Sequence, residues 1–246
     1  MPFFLSHFNT NTHFSYGGKL RRIERQLHHY GSGLNSLVLL SQYRLDPSPS
    51  NSYILRTGYG GMNGPLSNID QEGFSSASFH SFPDTLKWDA YSGDYGPNHL
   101  GLILGSACYI AQDDVLGLVA YGGQMTDDGG VVRVEIRDAV RRRVYIGPLG
   151  LLVEVDAGVI QEVAFKLSTR LVNVTLGQLP NVPVAKTATM WLTTETGDKG
   201  VNSSYVVTMK GVKKNRAGWA VPLSKEAVTV RVGNGCYNGV VGGQCT

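Results

Sequence analysis

A chain of 246 residues with 42% hydrophobic and 17% charged residues is long enough to bury a core as one large or two small domains. Its 31 glycines mark a turn-rich, β-rich composition and exclude wholesale disorder. The balance of 22 basic against 19 acidic residues, +3, is too small and too dispersed for a nucleic-acid or anionic-membrane surface, and no apolar run is long enough to cross a bilayer.

The first 18 residues read as irregular: MPFFLSHFNTNTHF has neither a basic leader nor a sustained apolar core, so it is not a signal peptide. From Lys19 to about Tyr43 the positions Leu20, Ile23, Leu27, Tyr30, Leu34 and Val38 recur at three- and four-residue steps, the spacing of an amphipathic helix. Gly31 and Gly33 are positioned to split it into two helices, and Asp46-Pro47-Ser48-Pro49-Ser50 ends it, because a proline disfavours helix in the residue before it. Residues 53–70 read as irregular and glycine-rich, without a phosphate-binding pattern.

The segment Ser75–Gly105 packs His80, Asp84, Lys87, Trp88, Asp89, Tyr91, Asp94, Tyr95, Asn98 and His99 between a helical region and a strand-rich one. Pro97 fits the first position of a short helix through Leu100, Leu104, Cys108 and Ala111, although strand alternation fits part of that run too. Beyond Asp113 the period changes to two. Short β-branched runs (GLVAYGGQM, VVRVEIRD, RRVYIGPLGLLVEVDAG, VIQEVAFKL, LVNVTLGQL, TATMWLTTE, SSYVVTMKG, GWAVPL and AVTVRVG) separated by glycine turns predict an antiparallel sandwich. Glu135, Asp138, Glu154 and Asp156 then read as solvated strand faces and turns, and Arg141-Arg142-Arg143 as a solvated or ion-paired strand.

Cys108, in an apolar stretch, reads as a buried thiol, while Cys236 and Cys245 bracket a short loop that fits a disulfide. Asn173-Val174-Thr175 and Asn202-Ser203-Ser204 are glycosylation acceptors, which points to an extracellular, secreted chain whose signal is expected upstream of Met1. The scattered histidines His28, His29, His80 and His99 have no metal-ligand spacing, no Gly-x-Ser-x-Gly elbow is present, and no cofactor motif appears; neither a metal nor a cofactor is expected.

Paired carboxylates remain. Glu72, Asp84, Asp89 and Asp94 are interleaved with Phe79, Phe82, Trp88, Tyr91 and Tyr95. Sugars offer apolar C–H faces and many hydroxyls, so flat aromatics beside carboxylates suit them. Glycoside hydrolysis needs one acid and one carboxylate, about 5 Å apart for retention or roughly 6.5–9.5 Å for inversion.

The succession GYGGMNGPLSNIDQEGFSSASFHSFPDTLKWDAYSGDYGPNHLG, GLVAYGG and RDAVRRRVYIGPLGLLVEVDAG resembles the C-terminal part of a family of large secreted fungal and bacterial proteins of unknown function. Its full-length members look like six-hairpin glycosidases, with an (α/α)6 toroid followed by a C-terminal β-sandwich. The resemblance implies an α+β chain: residues 19–112 as the last part of a toroid, whose N-terminal part is a missing partner, and residues 113–246 as the sandwich. It implies a fragment of a carbohydrate-active enzyme. The candidate catalytic carboxylates are Asp84, Asp89 and Asp94, with His80, Trp88, Tyr91, Tyr95 and Asn98 as substrate contacts. The competing expectation is a non-catalytic sandwich that binds sugar through Trp191 and Trp219 or serves as a structural module.

Overall fold

The computed structural model describes residues 27–28, 31–66, 80–81, 106–138, 140–178, 185–194, 207–209, 212, 218–224 and 226–232. The chain divides into two compact units, one holding residues up to Gln42 with Tyr53–Ser106 and the other holding Tyr43–Ser52 with Ala107–Thr246.

The first unit carries a helical hairpin, most of α1 (Gly31–Leu45) and of α2 (Ser52–Leu66), and a two-stranded ribbon of β1 (Leu27–His28) and β2 (His80–Ser81). Two expectations change here. Residues 19–26, 29 and 30 of the expected helix lie outside the described residues; α1 starts at Gly31, Leu27 and His28 are extended, and the buried face of α1 passes through Ser36, Leu40 and Tyr43 while Val38 is 71% exposed. Val38, expected on the apolar stripe, is therefore off the packed face. The segment read as irregular is α2, on which Ser52, Leu55, Gly58 and Met62 fall at helical spacing and are buried. Glycine propensity is a weak prior that packing overrides. At Gly58 the missing side chain is itself the packing device, because a Cβ there would lie 3.1 Å from Leu39 and Leu40 on α1. As expected, α1 ends at Leu45, one residue short of the Asp46-Pro47 pair.

The second unit is built, among the described residues, on two six-stranded sheets. The strands are β3 (Cys108–Asp113), β4 (Gly117–Tyr121), β5 (Gly123–Asp128), β6 (Val131–Ile136), β7 (Arg143–Ile146) and β8 (Leu151–Val155). They continue with β9 (Val159–Lys166), β10 (Leu171–Gly177), β11 (Thr187–Thr194), β12 (Val207–Met209), β13 (Trp219–Pro222) and β14 (Val228–Val232). One sheet has the order β12-β14-β10-β9-β6-β5 and the other β13-β11-β8-β7-β3-β4. Pairing is antiparallel except for β3 with β7, which is parallel, so the sheets are mostly rather than wholly antiparallel. Residues of both contribute to one apolar core, with Val134, Val163, Phe165, Val172 and Val230 from the first sheet and Ile110, Val144, Ile146, Val153 and Met190 from the second. That is a sandwich arrangement.

Two crossings between the sheets were hidden in the sequence. The run GLVAYGGQM is two strands in different sheets, and Gly122, at φ 87°, makes the switch between them. Next to it a Cβ on Gly123 would lie 2.5 Å from Val134 Cγ1, so only glycine fits. The return runs from β6 to β7 through residues 137–142, where Arg141 takes φ 52°. Its carbonyl accepts from Ile160 N in the first sheet at 2.7 Å, and that of Arg142 accepts from Val155 N in the second at 3.0 Å. The helix expected to reach Ala111 gives way to β3, which is buried on both faces and so shows no alternation to separate strand from helix.

Candidate functional site

Seven predicted site residues, Asp84, Asp89, Asp94, Trp88, Tyr91, Tyr95 and Asn98, lie outside the described residues, as do Cys236, Cys245 and Asn202. Of the eighth, His80, the backbone is placed: in β2 it stands directly opposite His28 of β1, a juxtaposition that separation in sequence concealed.

The outer face of the second sheet, the face turned away from the sandwich core, combines a buried tyrosine cluster with a partly buried ion pair. One end of that face is closed. Tyr43, Tyr109 and Tyr145 are fully buried there and meet edge to face, with ring centroids 6.4 Å (Tyr43–Tyr109), 6.2 Å (Tyr43–Tyr145) and 5.9 Å (Tyr109–Tyr145) apart. Arg44 Nη1 donates to Tyr109 Oη at 3.1 Å, and Tyr145 Oη donates to the Arg44 carbonyl at 3.2 Å. Further along the same strap, Ser52 Oγ donates to Asp114 Oδ1 at 2.6 Å. Gly147 lets the strap approach, since a Cβ there would stand 2.9 Å from the Ile110 carbonyl and 3.3 Å from Tyr43 Oη. The segment Tyr43–Ser52 thus seals β3 and β7 from behind.

Among the described residues, nothing closes the other end. Register aligns Arg143 of β7, Glu154 of β8 and Trp191 of β11 in one row. Arg143 Nε donates to Glu154 Oε1 at 2.5 Å, with the side chains 17% and 27% exposed. Glu154 is therefore half of a partly buried ion pair, where a solvated strand face was expected, whereas Arg143 fits the ion-paired reading. Trp191 is 37% exposed on this face. Trp219 pairs with Met190, shares its face and packs against the core, so the two tryptophans named together as sugar contacts point to opposite sides of the sheet.

Asp138, also expected to be solvated, is buried at the crossing. Its Oδ1 accepts from Val140 N at 2.9 Å and Arg141 N at 3.2 Å, while Oδ2 has no hydrogen-bond partner. Burial pushes its carboxyl above the usual carboxylate range, against the opposing pull of those two N–H groups and of the Arg141 charge. Cys108 is buried and unbridged, as expected, and burial together with the Asp138 charge raises its thiol pKa, which suits an inert core residue. Asn173 is exposed on β10, its Oδ1 accepting from Thr229 Oγ1 at 2.9 Å. Among the described residues no group of three or more His, Cys, Asp or Glu side chains is placed to hold a metal ion, and no helix is long and apolar enough to cross a membrane.

Residues 10–231 match the model of a family of unknown function, DUF5695. The chain belongs to that family. No curated protein and no solved structure matches it.

Proposed function

We propose that the chain forms one wall of the substrate cleft of a secreted carbohydrate-active enzyme, a glycoside hydrolase acting on an oligo- or polysaccharide through paired carboxylates. The observation that carries this reading is the order of parts along the chain. A helical hairpin comes first and a two-sheet sandwich last. Between them runs the segment in which Asp84, Asp89 and Asp94 are interleaved with Trp88, Tyr91 and Tyr95. A toroid followed by a sandwich is the layout that the resemblance to six-hairpin glycosidases implies. Site residues belong on connecting segments held by rigid elements, and an acid, a carboxylate and flat aromatics are the groups that sugar hydrolysis uses. On the sandwich, Asp138 is buried and Glu154 is ion-paired.

In this reading two of the three aspartates share the acid and base or nucleophile roles, and His80, Trp88, Tyr91, Tyr95 and Asn98 hold the sugar. The upstream helices of the toroid complete the cleft. The test is release of reducing sugar from a polysaccharide panel by the protein carrying its upstream helices, wild type beside Asp84→Asn, Asp89→Asn and Asp94→Asn. Loss of a catalytic acid or base is expected to lower turnover by about 10²–10⁴-fold with folding retained. Full activity in all three variants would rule the assignment out.

A further inference from the structure

The end of the second sheet's outer face that carries Trp191 has a composition that a merely solvated strand does not need. Outward positions along β11 are Thr187, Thr189, Trp191 and Thr193, one indole with hydroxyls before and after it, and all four are at least partly exposed. Alternation sends Ala188 and Met190 into the core. Two residues along a strand span about 7 Å, so the Thr189 and Thr193 hydroxyls stand roughly that far to either side of the indole.

The indole is also held in place. Gly218, at φ 146°, lies so close that a Cβ on it would be 3.2 Å from Trp191 Cδ1 and 2.8 Å from the Met190 carbonyl. Backbone without a side chain therefore backs one edge of the ring, while Trp191 as a whole is 37% exposed. In the next strand Glu154 uses Oε1 for Arg143, which leaves Oε2 to accept from a ligand hydroxyl. Because the two charges neutralise each other, the Arg143–Glu154 pair itself favours neither an anion nor a cation. A flat ligand with an apolar face and a rim of hydroxyls satisfies this surface.

We propose that the Trp191 face is a saccharide-binding platform, the indole stacking on the C–H face of a neutral pyranose ring while Glu154 and the flanking threonines bond its hydroxyls. A rigid aromatic surface binds at little entropic cost, because few rotamers are lost on contact. The platform is a carbohydrate contact on the sandwich, made by residues other than those of the proposed cleft. It needs none of the carboxylates at positions 84, 89 and 94, so it stands whether or not the chain takes part in hydrolysis.

The experiment is depletion of the 246-residue chain from solution by microcrystalline cellulose, chitin and granular starch, with alginate as an anionic control, for wild type, Trp191→Ala, Trp191→Tyr and Glu154→Gln. Wild type is expected to be retained by at least one of the neutral polysaccharides. Trp191→Ala should then bind about tenfold or more weakly, as truncation of a central aromatic does, while Trp191→Tyr recovers part of the loss and Glu154→Gln falls between. Unchanged far-UV circular dichroism and melting temperature of Trp191→Tyr separate lost contact from lost fold. Equal retention of wild type and Trp191→Ala, retention on alginate alone, or no retention of wild type on any of the three would overturn the proposal. Asp84, Asp89 and Asp94 variants should bind as wild type does, which keeps failure of the platform distinct from failure of the hydrolase reading.

Discussion

The two sheets of the sandwich share one core but treat their other faces differently. The first sheet turns its outer face to water, where Arg133 pairs with Glu162 at 3.3 Å and Arg137 with Glu135 at 3.1 Å, all four side chains well exposed. Over β3, β7 and the start of β8 the second sheet buries both faces, with Ile110, Val144 and Ile146 toward the core and Tyr109, Tyr145 and Leu152 on the far side. Its alternation is lost there because both faces are apolar. What closes the far side is a ten-residue segment from well upstream, Tyr43–Ser52. The same kind of element is thus a solvated wall in one sheet and a middle layer in the other.

The sharpest way to break that contrast is Tyr43→Ala. The side chain is fully buried against two other rings, so truncation should leave a cavity and cost about 3–5 kcal/mol in a denaturant titration. A loss below about 1 kcal/mol, the range of an ordinary surface change, would mean that the strap does not seal the sheet.

A smaller effect is expected at the crossing that joins the sheets. Because burial raises the proton affinity of Asp138 above its ordinary value of 3.8, the folded chain holds a proton over a pH window in which the unfolded chain has lost it. Its contribution is full below that ordinary value and is lost as pH rises toward the raised one. Asp138→Asn, neutral throughout, removes this term, so as pH rises above about 4 its melting temperature should fall less than that of wild type. Parallel curves for the two proteins would show that the carboxyl titrates normally.

The smallest effect belongs to the solvated wall. Arg133→Ala, Glu162→Ala and the double variant should each change stability by less than about 1 kcal/mol, with a coupling of a few tenths. A coupling above about 2 kcal/mol would erase the difference between the two outer faces.

The same contrast governs what could be read from the residues alone. The first sheet was legible because VVRVEI alternates cleanly and one of its faces is wet. The double burial of the second was not, since the residues that close it lie 65 and 101 positions away from their partners. Helix α2 was concealed by its glycines, one of which lets it pack closely on α1. At the candidate sites, Trp191 and Trp219 looked equivalent in sequence, and only the pairing of Met190 with Trp219 shows that one faces the core and the other water. The row Arg143, Glu154 and Trp191 came from three separate strands, so no spacing could announce it.

The chain's three tryptophans let one experiment report on both sugar contacts: titration of the protein with a soluble fragment of a polysaccharide that retains it, followed through the three indole N–H signals in ¹H–¹⁵N NMR. Trp88, in the proposed cleft, and Trp191, on the platform, should shift with added sugar while core-facing Trp219 stays still. A shift confined to Trp219, or three signals unmoved at saturating sugar, would contradict both contacts.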